Sequence, residues 1–431
     1  MYSYMGNNDP KPGTPALRML GLPNLPRKLP SRNWMIFWAI TGTFTSAIIY
    51  DKREKNRATA KWRHAVEPLS REPIGQASQL PRKLTIYLEA PPGDGLRVAQ
   101  DHFIEYVKPV LSASGLDWEF VQGRQQGDVR AAVAEKIRRS RMADERPSEE
   151  LAKTEDSMVT DLRKKMGIPD YEGVKGDIVI GRHTWKEYIR GLHEGWLGPL
   201  DAPPQPEPPV VETKPTTEDG ANPDDTAEKK EEEKKDEKPS RPPQPLPHNT
   251  TDDYVAATLP VHIPFEFSPS TPIAFPHRLG FRHTFVRLGR FFTRRKLADE
   301  IGRDVAAVCF AAAREYRQAD GQFEQQLLLE QEERDWPKSV WKDEPESKDE
   351  PAEPPKEKIW SSPMVLDQRI AERMRRFEIQ PEDAARAAKI VVPEEEIEGW
   401  IKGSLRGVWR WGASSFEGKP KGPNVGNLDD D

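Results

Sequence analysis

The chain has 431 residues, enough for two domains or for one domain with extensions. Apolar residues supply 35% and charged residues 32%, with 42 prolines, so part of the chain cannot bury a core. A net charge of −6 argues against a nucleic-acid partner, the single Cys309 rules out an internal disulfide framework or a Cys-rich zinc site, and the eight histidines show no metal-ligand spacing.

Residues 1–32 read as an N-terminal tail. "MYSYMGNNDPKPGTP" has no Arg, carries Asp9 and is broken by Pro, unlike a transit peptide. "NWMIFWAITGTFTSAIIY", Asn33 to Tyr50, then holds no charge. At about 1.5 Å per residue it spans roughly 27 Å, just enough for a hydrocarbon core. Trp34, Trp38 and Tyr50 stand near its ends, as interfacial aromatics do. Both flanks are basic, so charge does not fix an orientation. "DKREK" follows at once where a signal peptide would place small residues, which favours an uncleaved anchor over a cleaved signal. Ala39, Thr43 and Ala47 recur every four residues, as do Gly42 and Ser46, a pattern that lets another transmembrane helix approach closely.

After a juxtamembrane segment (51–75), residues 76–200 read as a compact α/β unit. "KLTIYLEA" (83–90) alternates as a strand, and Val98, Phe103, Val107, Val110 and Leu111 fit one face of a helix ended by "SASG". "LDWEFVQG" is a second strand, Asp128 an N-cap, "VRAAVAEKIRRSR" a second helix, "DIVIG" a third strand and Thr184–Leu192 a third helix. Strands alternating with helices predict a parallel sheet of βαβ units.

Residues 201–250, Pro-rich and charge-dense, read as a disordered acidic linker, with a glycosylation sequon at Asn249 in its exposed end. Residues 251–342 read as the second part of the folded domain. "DYVAATLPVHIPFEF" (253–267) is taken as strand, and Arg294–Arg317 as a helix with Leu297, Ile301, Val305 and Val308 inward. The basic run Arg287–Lys296, with Phe291 and Phe292, is taken as a solvated helix start with two core aromatics, over an anionic lipid or chaperone contact. A second acidic linker covers 343–358, two amphipathic helical segments 359–416, and an acidic tail 417–431. In the last helix Trp400, Arg406, Trp409 and Trp411 either meet a partner or membrane or fold back on the core.

The stretch "GDIVIGRHTWKEYIRGL" (176–192) sits where an α/β fold often cradles a phosphate. Together with "EAPPGDG" (89–95), "VKPVLSASGLDWEFV" (107–121) and "GDVRAAV" (127–133), it resembles the α/β domain of diacylglycerol and sphingosine kinases. That family carries a Gly-Gly-Asp-Gly-Thr turn followed by Glu and Gly-Leu. Here Thr184, Glu187, Gly191 and Leu192 keep the frame, but the turn reads Ile180, Gly181, Arg182, His183, Thr184. Side chains at Ile180 and His183 crowd a phosphate, and Arg182 repels a nucleotide-bound magnesium where the family has Asp. Arg182 leaves bare-anion binding open. The second phosphate loop of such kinases has no match in "IAFPHRLGF" (273–281).

A broader resemblance rests on "LPNLPRKLPSRNWMIFW", "DKREKNRATAKWRHAVEPLSREPI", "RKLTIYLEAPPGDGL", "PHRLGF", "RFFTRRKLADEIGRDVAAV" and "GSLRGVWRWG". These blocks are similar to the single-span 54-kilodalton subunit family of the mitochondrial inner-membrane carrier translocase. The resemblance implies an N-terminus in the matrix and the bulk in the intermembrane space. It implies a scaffolding role in inserting multi-span carriers, beside a channel subunit, other translocase subunits, small intermembrane-space chaperones and inner-membrane lipid, and a part in assembling an inner-membrane protease. The expectation is a non-catalytic α/β protein with no cofactor, no metal and no nucleic acid. A membrane-anchored lipid kinase is the alternative, and an endoplasmic-reticulum protein glycosylated at Asn249 a third reading.

Overall fold

A computed structural model of the chain describes residues 31–72, 80–147, 155–168, 171, 173–202, 244–319, 321–336, 357–397, 403–404 and 406–410. The chain divides into two compact units, Met1–Lys52 and Arg53–Asp431. Helix α1 (Arg32–Val66) contains the uncharged run. Among the described residues no helix is long and apolar enough to cross a membrane. Asn33 and the hydroxyls of Thr41, Thr43, Thr45 and Ser46 dilute the run. Its large apolar side chains, among them Trp34, Phe37, Trp38 and Ile40, are nonetheless exposed. The Thr43 hydroxyl donates to the Ala39 carbonyl at 2.8 Å, so part of its polarity is met within the helix.

The second unit is built on strands β1 (Lys83–Glu89), β2 (Asp117–Gly123), β3 (Asp177–Ile180), β4 (Ser270–Ile273), β5 (Ala313–Glu315) and β8 (Arg375–Phe377). A separate hairpin pairs β6 (Gln318–Ala319) with β7 (Gln322–Phe323). The large sheet has the order β2-β1-β3-β4-β8-β5, parallel except where β5 runs against β8. Alternation along β1 and β3 feeds two cores. Leu84, Ile86, Leu88, Ile178 and Ile180 face one side; Tyr87 and Val179 face the other.

On the first face lie α2 (Leu96–His102), a π-turn over Phe103–Val107, α3 (Lys108–Ser114) and α8 (Arg294–Cys309), with Trp62 and Val66 from the end of α1. Of the helical stripe read from the sequence, Phe103, Val107, Val110 and Leu111 are buried and Val98 is exposed. Gly115 closes α3 with φ +74°, a backbone that an L side chain resists. On the second face lie α4 (Asp128–Glu145) and α6 (Arg182–Leu197). The shorter helices are α5 (Glu155–Lys165), α7 (Thr284–Phe291), α9 (Glu324–Leu327), α10 (Glu330–Arg334), α11 (Gln368–Ala371), α12 (Pro381–Ala388) and α13 (Glu394–Ile397).

Several expectations are corrected here. Residues 253–267 are not a strand. A 3-10 turn over Asp252–Tyr254 opens them, held by the Asp253 carboxylate on the Thr250 N–H at 2.8 Å. Pro260 and Pro264 then lack the N–H a ladder needs. The helix from Arg294 stops at Cys309, because Ala311 turns to φ +55° and Ala313–Glu315 pairs with β8. Residues 364–379 are not one amphipathic helix. Asp367 caps the single turn of α11, and β8 enters the sheet between β4 and β5. Asp128 is the first residue of α4 rather than its cap; its carboxylate accepts from the Arg124 and Gln125 N–H groups before the helix. Phe291 is exposed and Phe292 half-buried, so neither is a core aromatic. Asn249 is buried, not in an exposed linker end.

Candidate functional site

In a doubly wound sheet, ligands bind outside the carboxyl ends of the strands, where the strand order reverses. The order β2-β1-β3 puts that point between the ends of β1 and β3, at Glu89 and Gly181. No loop intervenes after β3. Gly181 alone links it to α6, with φ +90°, so the turn expected at 180–184 is one residue of linker and the first turn of a helix. Ile180, Gly181, Arg182, His183 and Thr184 therefore stand together, all buried.

Every residue of α6 is buried. It packs closely on α4 because Gly191 and Gly195 have no side chains. A Cβ at Gly191 would lie 2.7 Å from the Arg130 carbonyl oxygen, and one at Gly195 2.7 Å from the Ile137 Cβ. Glu187, which keeps its place in the kinase-like frame, caps α4: its carboxylate accepts from the Gly127 N–H at 2.7 Å and the Arg130 N–H at 3.2 Å. It also accepts from the Trp360 indole at 2.8 Å.

The position where an anion would meet the start of α6 is taken by the chain itself. Glu332 of α10 accepts from the Arg182 N–H at 3.2 Å and from the Phe275 N–H, just past β4, at 2.7 Å. Those are backbone donors of the kind that hold phosphate at a helix N-terminus. Burial of this carboxylate, offset in part by the two N–H donors, pushes its pKa up to about 7. The Arg182 guanidinium is taken up by the chain as well. It meets Glu333 at 3.1 Å and the Gln326 carbonyl at 2.9 Å, and donates to the Leu328 carbonyl as well. Lys186 reaches the same Glu333 at 2.8 Å, and the Trp185 indole donates to the Gln325 carbonyl at 3.0 Å. One strap, 325–333, is thus tied down by three side chains of the first turns of α6, Arg182, Trp185 and Lys186.

Beneath the strap, Glu89 is fully buried with both carboxylate oxygens unpartnered. Burial, and then the charge of Glu187, raise its pKa above the ordinary carboxylate value. His183 and His193 are held neutral, each with a pKa lowered by burial to about 4. His193 accepts from the Asp367 N–H at 2.9 Å, which leaves its Nδ1–H for the Ile189 carbonyl at 2.8 Å.

The far end of α6 holds a buried ion network. Glu194 binds Arg130 and, at 2.9 Å, Arg138, and accepts from the His248 N–H at 3.1 Å. Arg190 donates to the Asn249 side-chain oxygen at 2.9 Å and to Glu357 at 2.8 Å. Arg130 also donates to the Pro245 carbonyl. Residues at the edges of both expected linkers are therefore drawn into the core by α6.

These residues do not fit a magnesium nucleotide. The helix N-terminus carries a carboxylate, Arg182 is engaged elsewhere, the Thr184 hydroxyl is buried without a partner, and the buried Glu89 and Glu187 bring no positive charge to a phosphate. Among the described residues no three His, Cys, Asp or Glu side chains stand as a metal site. Elsewhere, Ala39, Gly42, Thr43, Ser46 and Ala47 are exposed along α1, between Asn33 and Tyr50. Trp409 is exposed and Arg406 lies 3.6 Å from Glu395, while Trp400 and Trp411 lie outside the described residues.

Fold and crevice define a doubly wound α/β protein whose ligand position is occupied by its own side chains. A family model described as "Inner membrane protein import complex subunit Tim54" matches residues 14–377, and the chain belongs to the Tim54 family. It is 57% identical over 426 residues to a protein of Neurospora crassa named mitochondrial import inner membrane translocase subunit tim54, covering 95% of this chain and 90% of that one. A protein of the same name from Aspergillus oryzae is 44% identical, covering 95% and 99%. One from Schizosaccharomyces pombe is 30% identical, covering 79% and 91%.

Proposed function

We propose that the chain is a non-catalytic scaffold subunit of the mitochondrial inner-membrane translocase that inserts multi-span carrier proteins. Membership of the Tim54 family along most of the chain carries the reading. The crevice supports it from the other side. A fold position that serves nucleotides elsewhere is spent here on holding remote segments of the chain in place. The lipid-kinase alternative finds no support in the relatives or in these side chains.

In this reading the uncharged run 33–50 enters the inner membrane with the N-terminus in the matrix, and the α/β unit stands in the intermembrane space. The modest hydropathy of the run is offset by a partner helix. Ala39, Gly42, Thr43, Ser46 and Ala47 give that partner a close approach; a Cβ at Gly42 would meet no other atom within 4 Å. The channel and other translocase subunits are the partners on this side, and small chaperones on the other. The test is import into mitochondria depleted of the chain. A multi-span carrier should fail to insert while a presequence-bearing matrix protein enters normally. Normal insertion of both overturns the scaffold role.

A further inference from the structure

Neither the family nor the crevice accounts for the surface around α7. No Asp or Glu stands between Glu266 and Asp299, yet seven Arg or Lys residues fall from Arg278 to Lys296, in a chain of net charge −6. α7 buries none of its residues. Phe281 is 89% exposed and Phe285 83%. Positions 285, 288 and 292 are apolar and recur at helical spacing along α7 and its C-cap, Phe281 and Arg282 stand in the 3-10 turn (Phe281–His283) just before it, and Arg287 lies off that stripe. Part of the charge is already met: Arg278 and Arg290 pair with Asp335, Arg294 lies 3.7 Å from Glu105, and Arg287 donates to the Gly280 carbonyl at 3.4 Å. Arg282 and Arg287 are exposed, and no acidic residue of α7 opposes them.

The place of this surface matters as much as its composition. The start of α8 and residues 54–61 of α1 line one open cleft, with Glu54, Lys61, Arg295 and Lys296 on its walls. The Trp62 indole donates to Asp299 at 2.8 Å, fixing the two helices together. Glu54 follows Tyr50 by only four residues. The basic start of α8, which follows α7 in the chain, thus packs beside a stretch of α1 that begins four residues after the uncharged run in sequence.

We propose that α7, with the 3-10 turn that leads into it, docks on an anionic phospholipid surface, with Phe281 and Phe285 among the headgroups and Arg282 and Arg287 paired with lipid phosphates. Aromatic rings with basic flanks suit that boundary. A helix this short would bind weakly alone, but the proposed anchor, on which this inference rests, supplies a high local concentration.

Cys309 is the only cysteine and is buried, so Phe285→Cys offers one reactive thiol for an environment-sensitive fluorophore. The full chain would be reconstituted in phosphatidylcholine vesicles with or without phosphatidylglycerol, using nitroxide-bearing lipid as quencher. A probe introduced by Val391→Cys, at a residue 90% exposed on another segment, is the reference. The probe at position 285 should shift to the blue and be quenched several-fold more than the reference, in anionic vesicles only. Arg282→Glu with Arg287→Glu should abolish the difference. Equal quenching at both positions, or indifference to lipid charge, overturns the proposal. So does a probe silent toward lipid that shifts on adding the other translocase subunits, which would assign the face to protein. Alkaline extraction of the same vesicles reads the anchor separately: a chain that is extracted but still quenched at 285 loses the anchor and keeps the surface.

Discussion

The crevice at the ends of β1 and β3 and the surface of α7 are opposites. In the crevice, the position where the fold would seat a ligand, Glu332, Arg182, Lys186 and Glu187 are each met by another part of the same chain. On α7 and the turn before it, where a helix would ordinarily pack, Phe281 and Phe285 are almost fully exposed. A fold-level argument would look for function in the first and ignore the second. The side chains reverse that order, because a saturated polar site has no interaction left to offer, whereas exposed aromatics beside uncompensated charge do.

If the crevice is structural, breaking its ion network should cost the most. Arg130 is fully buried, binds Glu194 and the Pro245 carbonyl, and has no solvent to replace them. Arg130→Ala leaves Glu194 with only Arg138 and the His248 N–H and should lower the stability of the second unit by about 3–5 kcal/mol in chemical denaturation. A loss under about 1 kcal/mol would mean that α6 is not the tie between segments described above.

Glu332 sharpens the same comparison through pH. Its folded pKa, about 7, lies above the ordinary 4.5, so the native state takes up its proton first. Its contribution to stability is complete below pH 4.5 and is lost as pH rises through 7. Gln does not titrate. The stability of the natural chain relative to Glu332→Gln should therefore fall between pH 4.5 and 7, by on the order of 2 kcal/mol given that the residue is part-exposed, and stay level above. His183 and His193 act in the opposite sense: with folded values near 4 against an ordinary 6.5, they destabilise as pH drops below 6.5. Both chains carry them, so they cancel in the difference. A difference that is flat from pH 4.5 to 8 would show that no carboxylate is buried at the start of α6.

What could be read from the sequence was local. Alternation marked β1, short strand-like runs marked β2 and β3, and "SASG" marked the end of α3 at Gly115, while the helix expected from Thr184 begins two residues earlier, directly after Gly181. The frame Thr184, Glu187, Gly191 was visible too, but not what it does. Glu187 caps a helix 57 residues away and Gly191 makes room for it. Nothing marked Glu332 among the acids of "LEQEERDW", since its donors lie 150 and 57 residues upstream. β8 was hidden for the same reason: three residues, "RRF", inside a run with helical character, become a strand only because β4 and β5 flank them. Asn249 and Glu357 looked like linker and proved to be partners of Arg190. Arg190 itself lies in a helix whose charges suggest solvent and whose every residue is buried.

The smallest expected effect on stability belongs to the surface with the largest expected effect on membrane contact. Phe285→Ser removes a ring that is 83% exposed on a helix with no buried residue. It should change unfolding free energy by no more than about 0.5 kcal/mol, the range for surface positions away from caps and cores. A core aromatic removed in the same way would cost about 3–5 kcal/mol. The contrast is decisive in both directions. A Phe285→Ser chain that unfolds normally but no longer distinguishes anionic from neutral vesicles separates interaction from folding on α7. A chain that loses several kcal/mol places that ring in a core after all, and the opposition between a filled crevice and an open helix disappears.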